Sequence, residues 1–147
     1  MSLSVDDDES LEIPLPLEFF IEAVPLSLQA DVTHLTAWKS EVGDQATARL
    51  QGHEWVHTGP MYVTILYFPS VTMQGDIDNI VKPILDGMNQ RVYVDDRQVE
   101  RVVVQKFEPG RTVVEIDTEV LAAALDLPPP VLYVRVDNEA TKKDTMP

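Results

Sequence analysis

The sequence predicts a single compact domain of the α/β (α+β) class, with a small β-sheet packed by two or three helices. Three observations carry that prediction. The 147 residues, 44% of them hydrophobic, are enough for one ordinary core. Runs rich in β-branched and aromatic residues are bounded by Gly and Pro, as strands are. Between them lie segments whose apolar residues recur at helical spacing, so both element types share the chain.

Taken in order, residues 1–12 are polar and acidic with few bulky groups, and are predicted to form a disordered tail that cannot offset its ordering entropy. Leu17 to Val24 reads as a strand stopped by Pro25, which lacks an N–H. From Gln29 to Leu50, the residues Leu35, Trp38, Val42, Ala46 and Leu50 mark a helix, with Gly43 as a weak point in it. Met61 to Phe68, set between Gly59-Pro60 and Pro69, reads as a well-buried strand. Residues 77–89 segregate Ile77, Ile80, Val81, Ile84, Leu85 and Met88 from Asp78, Asn79, Lys82, Asp86 and Asn89, which predicts an amphipathic helix. Pro83 is tolerable there if the helix starts near Asp78 or Asn79. Val99 to Phe107 and Thr112 to Asp117 flank Glu108-Pro109-Gly110-Arg111, a type II turn sequence, and suggest a hairpin. A short helix capped by Thr118 should run to about Leu125. The domain is expected to span 13–127. Residues 128–147 then form a Pro-rich spacer and C-terminal extension, in which Val131 to Val136 could be an edge strand or a dimer contact.

Composition bounds the function. No apolar run approaches the roughly 18 residues a membrane span needs, and no basic-then-apolar leader pattern opens the chain, so a soluble, cytoplasmic protein with no membrane partner is expected. The absence of cysteine excludes disulfides, thiol chemistry and Cys-based zinc sites. A net charge of −14 argues against nucleic-acid binding until it is partitioned. Five acids lie in the N-terminal tail and five more (Asp76, Asp78, Asp86, Asp95, Asp96) in one cluster. Setting those ten aside leaves fifteen acids against eleven bases, a net of −4. Arg91, Arg97, Arg101, Lys106 and Arg111 all follow the cluster closely.

That cluster is where the chemistry should lie. Gly75-Asp76-Ile77-Asp78-Asn79-Ile80-Val81-Lys82-Pro83-Ile84-Leu85-Asp86, followed by Val94-Asp95-Asp96-Arg97-Gln98-Val99, combines five carboxylates with an amide and a lysine. Hard divalent cations need several carboxylate oxygens at one point, and a nearby lysine can hold the phosphate such a metal activates. The plainer account is a helix N-terminus with acids favouring its dipole, and Lys82 pairing with Asp78 and Asp86. The conjunction of both groups with Asn79, Lys82 and Gln98 favours a metal-dependent nuclease. An EF-hand fails, because Ile80, Val81 and Gly87 stand where a ligand, a glycine and a glutamate are required. His53-Glu54-Trp55-Val56-His57 spells the zinc-peptidase motif H-E-x-x-H, which needs a helix. Gly52 and Gly59-Pro60 crowd it, which favours chance spelling, with zinc metallopeptidase activity as a secondary alternative.

The assembled pattern Asp-x-Asp-Asn-x-x-Lys-x-x-x-Asp, then Asp-Asp-x-Gln-Val, resembles the RusA family of Holliday junction resolvases, closely over Asp76 to Val99 and loosely over 17–117. The resemblance implies a small mixed α/β fold, a homodimer, four-way DNA junctions as substrate and Mg²⁺ as cofactor, with Mn²⁺ a substitute and no small-molecule cofactor. By motif position, Asp76, Asp78 and Asp96 resemble the metal-binding carboxylates, Lys82 the essential lysine, and Asp95 could share the metal. Asn79, Asp86 and Gln98 are expected to hold those groups in place. Arg91, Arg97 and Arg101 are candidates for DNA contact. The acidity keeps open a further alternative, a catalytically weak junction-binding or interaction module.

Overall fold

The computed structural model describes residues 15–50, 58–110 and 115–138. Within them the elements run β1 (Leu17–Ile21), α1 (Val32–Ala48), β2 (Met61–Phe68), α2 (Asp78–Met88), a 3₁₀ turn (Asp96–Gln98), β3 (Val99–Lys106), α3 (Glu119–Leu125) and β4 (Val131–Asp137). The strands form one mixed sheet in the order β1-β4-β2-β3. β4 is antiparallel to both β1 and β2, while β2 and β3 are parallel. A parallel pair needs a long crossover, and α2 with the 3₁₀ turn supplies it. The expected α+β class, with a small mixed sheet and three helices, is the observed one.

The sheet is covered on both faces. Phe19, Val63, Ile65, Leu132 and Val134 point toward α1 and α2, where they meet Trp38, Val42, Ala46, Ile80, Ile84 and Met88 in the larger core. Tyr133 alternates to the opposite face, as strand geometry requires, and joins Phe68, Phe107 and Leu121 of α3 in a second cluster. Phe68 and Phe107 stack there with centroids 4.8 Å apart. No helix among the described residues is long and apolar enough to cross a membrane.

Two glycines set how closely α1 and α2 approach. A Cβ on Gly43 would lie 2.7 Å from the Gly87 carbonyl oxygen, and one on Gly87 would lie 2.7 Å from the Lys39 carbonyl oxygen. The residue that weakened the helix in sequence is therefore the one that lets α1 dock, and α1 runs unbroken through it. Pro83 has a comparable use. It sits inside α2, where it cannot donate to the Asn79 carbonyl one turn earlier. Leu28 donates its backbone N–H to that oxygen instead, at 3.0 Å, which ties the segment before α1 to the start of α2.

One expectation is corrected. Val131–Asp137 is not an edge strand or an exposed dimer contact but lies inside the sheet, paired on both sides. Its near-continuous apolar run is the mark of a strand buried on both faces. The hairpin expected between Val99 to Phe107 and Thr112 to Asp117 involves residues 111–114, which lie outside the described residues; β3 pairs with β2, and residues 115–117 adopt no strand. Gly110 does turn with φ of +82°, as the second central residue of a type II turn must. Residues 111–114 lie outside the described residues, as do the acidic tail and the H-E-x-x-H segment.

Candidate active site

β2 ends at Phe68, and the loop that follows delivers Asp76 to the start of α2. The first turn of α2 is tight, with the Asn79 N–H donating to the Asp76 carbonyl at 3.2 Å. No side chain caps that end. Asp76 and Asp78 are both exposed there, and Lys82 follows one turn after Asp78.

The second half of the site comes from the 3₁₀ turn. Asp95 is its N-cap and accepts the Arg97 backbone N–H at 2.8 Å, which holds the Asp95 carboxyl below the usual carboxylate range. Gln98 closes the box, its side-chain oxygen accepting the N–H groups of Val94 and Asp95 at 2.8 and 3.0 Å. Its amide donates to the Gly59 carbonyl at 2.8 Å, which fixes the turn to the entry of β2. Asp96 projects from this clamped turn.

Folding joins the halves through Lys82. Its ammonium donates to Asp96 at 2.5 Å and to Asp86 at 2.8 Å, and Asp86 also pairs with Lys39 of α1 at 3.3 Å. The hydrogen bonds to Asp86, then to Asp96, raise the Lys82 pKa above its ordinary value. Behind the cluster Tyr93 is fully buried and donates to the Leu85 carbonyl at 2.8 Å. Its burial, and after that the charges of Asp96, Asp86 and Asp95, raise its pKa.

The structure thus gathers Lys82, Asp86 and Asp96 and leaves Asp76 and Asp78 exposed at the rim. Among the described residues, no three His, Cys, Asp or Glu side chains lie close enough to hold one metal ion. The donor chemistry nevertheless fits a hard divalent cation, since Asp76, Asp78, Asp95 and Asp96 offer only carboxylate oxygens. Asn79 turns its backbone carbonyl to Leu28. Of the arginines considered for DNA contact, Arg91 pairs with Asp44 at 2.7 Å, Arg97 is almost fully exposed beside Asp95, and Arg101 is exposed on β3.

Two residues here had no signal in the sequence. Lys39 reaches Asp86 because Gly43 and Gly87 bring the helices together. Glu108 reads as a turn residue before Pro109, yet it is 9% exposed, pairs with Lys106 at 3.0 Å, and accepts the Met73 N–H through a long, forked bond of 3.4 Å to each oxygen. It therefore grips the loop that carries Asp76.

Comparison with known families returns a match. The profile of the RusA family, endodeoxyribonuclease RusA, matches residues 28–118, well over half the chain and including every residue of the cluster. The chain belongs to the RusA family of Holliday junction resolvase-like nucleases. A comparison with curated proteins gives no significant match.

Proposed function

We propose that the protein is a Mg²⁺-dependent endonuclease that resolves four-way DNA junctions in recombination and repair, acting in the cytoplasm as a homodimer. The observation that carries this reading is the contact between Lys82 and Asp96, which unites the two halves of the acidic sequence pattern, both inside the residues that the family profile matches. Paired nicks on a substrate with twofold character require two sites, which a twofold dimer supplies.

Asp76, Asp78 and Asp96, with Asp95 beside them, would hold the metal, and Mn²⁺ would substitute for Mg²⁺. A divalent cation bound to such oxygens lowers the pKa of the attacking water and draws charge from the scissile phosphate. Lys82 offsets the charge that grows on the phosphate oxygens, a role its raised pKa serves by keeping it protonated. Asp86 aims the ammonium from one side while Lys39 braces Asp86 from the other. The capping box of Asp95 and Gln98 keeps Asp96 in reach. Arg97, exposed beside Asp95, and Arg101, exposed on β3, would meet the DNA backbone.

Labelled four-way and linear duplex DNA, incubated with and without Mg²⁺, tests this. The expected result is nicking of the four-way substrate in Mg²⁺, leaving 5′-phosphate and 3′-hydroxyl ends, and a loss of about 100-fold or more in Asp78→Asn. An Asp78→Asn protein that nicks at the parental rate would remove that residue from the site. Gel-shift binding with no Mg²⁺-stimulated cleavage would favour the junction-binding module, which the net charge of −14 supports.

A further inference from the structure

We propose that the cavity next to Asp76 is a nucleobase subsite, which receives one base extruded from the branched DNA beside the phosphate to be cut. The inference rests on the junction-nuclease reading and gives that site a second, uncharged contact with its substrate.

The cavity has a volume of about 360 Å³, at the lower end of the range for pockets that hold small organic groups. One wall is the segment Val24–Ala30, the other the loop Ser70–Asp76, and Tyr67, Asn79 and Ile80 close the inner end. Pro25, Leu26, Tyr67 and Met73 give it apolar and aromatic lining, and Gln29, Gln74 and Asn79 are its amide residues. Asp76 is the one charged residue in the lining. No lysine or arginine stands in the lining, so the cavity itself offers a phosphate no cationic side chain. A neutral base suits it, offering a π-face to the apolar walls and hydrogen-bonding edges to the amides.

Both walls are tethered, so the cavity exists before DNA arrives. The Leu28 N–H bonds the Asn79 carbonyl that Pro83 leaves without a helical partner. Within the same wall, Gln29 donates its N–H to the Ser27 hydroxyl at 3.1 Å and Ala30 to the Ser27 carbonyl at 3.1 Å. Buried Glu108 holds the opposite wall by the Met73 N–H. Fixing such a pocket in advance reduces the ordering cost of binding. Because Asp76 lines the cavity and is also one of the carboxylates proposed to hold the metal, a base seated here would set the register of its own phosphate at that site. Extrusion costs least where pairing is already disturbed, which is the situation at a branch point. The subsite would thus serve both branch selection and base preference around the cut.

The test uses full-length protein without Mg²⁺ and four-way DNA carrying 2-aminopurine at each position flanking the crossover in turn. Gel shift reports binding, and fluorescence reports unstacking of the labelled base. The expected result is a rise of several-fold at one position. Thr72→Trp, which fills the cavity from an exposed loop position, should abolish it while the gel shift persists. Gln29→Leu, a milder change in the facing wall, should at least halve the rise. A gel shift with no brightening at any position, or brightening equal to the parental in both variants, overturns the subsite. Failure of the parental protein to shift four-way DNA at all overturns the junction reading itself.

Discussion

Two carboxylate clusters in this molecule use bonds of similar length for opposite ends. On the α3 side of the sheet, Glu18 of β1 accepts from the hydroxyls of Thr118, at 2.6 Å, and Tyr133, at 2.5 Å. Thr118 is also the N-cap of α3, accepting the Leu121 N–H, so this knot fastens the helix to the sheet. At the other cluster Asp96 and Asp86 share Lys82, whose side chain is 51% exposed. The first cluster joins one charge to two neutral donors, one of them the buried Tyr133, and is fixed in place. The second joins like and unlike charges at the surface, where water can replace any partner at little cost. Exposure, not bond length, separates the group that holds the fold from the group available for chemistry.

The largest effect that could break this contrast is in Lys82→Ala. Nicking of four-way DNA should fall by two orders of magnitude or more, whereas the melting temperature should barely move, since exposed ion pairs contribute roughly 0–1 kcal/mol. A large thermal shift would instead make Lys82 structural. Next comes Gly87→Ala, where a methyl would collide with the Lys39 carbonyl at 2.7 Å and the Val42 Cβ at 2.8 Å. Forced separation of α1 and α2 should cost about 1–3 kcal/mol in chemical denaturation. It should also lower activity, because it withdraws Lys39 from Asp86. Unchanged stability would mean the helices can slide apart freely. Glu18→Gln is smaller again, about 1 kcal/mol, as the amide oxygen keeps both hydroxyl partners but loses the charge that strengthens them. Activity per folded molecule should stay parental, and a drop in it would show that the two clusters communicate.

Much of this was legible before the coordinates. β2 ends where Pro69 interrupts it, α2 follows its apolar face, and the motif residues mark both halves of the site, because each depends on patterns local in the chain. What failed to show depends on neighbours distant in sequence. The run Val131 to Val136 already has the composition of a doubly buried strand, but its place after three prolines suggested an extension, and only its pairing with β1 and β2 reveals a central strand. Gly43 looked like a defect because its benefit belongs to the backbone of α2. Lys39 and Glu108 carried no spacing that distinguishes them from ordinary surface charges; their roles arise from the packing that surrounds them. The contact of Lys82 with Asp96 was expected as proximity, but its form was not, with the lysine seated directly on a carboxylate proposed for metal.

The smallest effect is alkaline, and it sharpens the comparison because both clusters contribute to it. Burial raises the pKa of Tyr93 and Tyr133, Glu18 adds to the rise at Tyr133, and hydrogen bonding raises Lys82. A group whose folded pKa exceeds its unfolded value binds more protons in the folded state, so its contribution is complete below the unfolded pKa. For tyrosine and lysine those unfolded values are 10.0 and 10.5. Stability against denaturant should therefore be level from about pH 7 to 9 and decline above about 10. Absorbance at 295 nm should show the ionisation of Tyr93 and Tyr133 coinciding with loss of circular dichroism, since both must leave the core to lose their protons. Replacing Glu18 with Gln removes the anionic neighbour of Tyr133 and should make the decline above pH 10 shallower; Lys82→Ala should do so as well, but through a surface group that ionises without unfolding. If Glu18→Gln steepens the decline, the Tyr133 hydroxyl is not held by that carboxylate, and the fixed character assigned to the α3-side cluster is wrong.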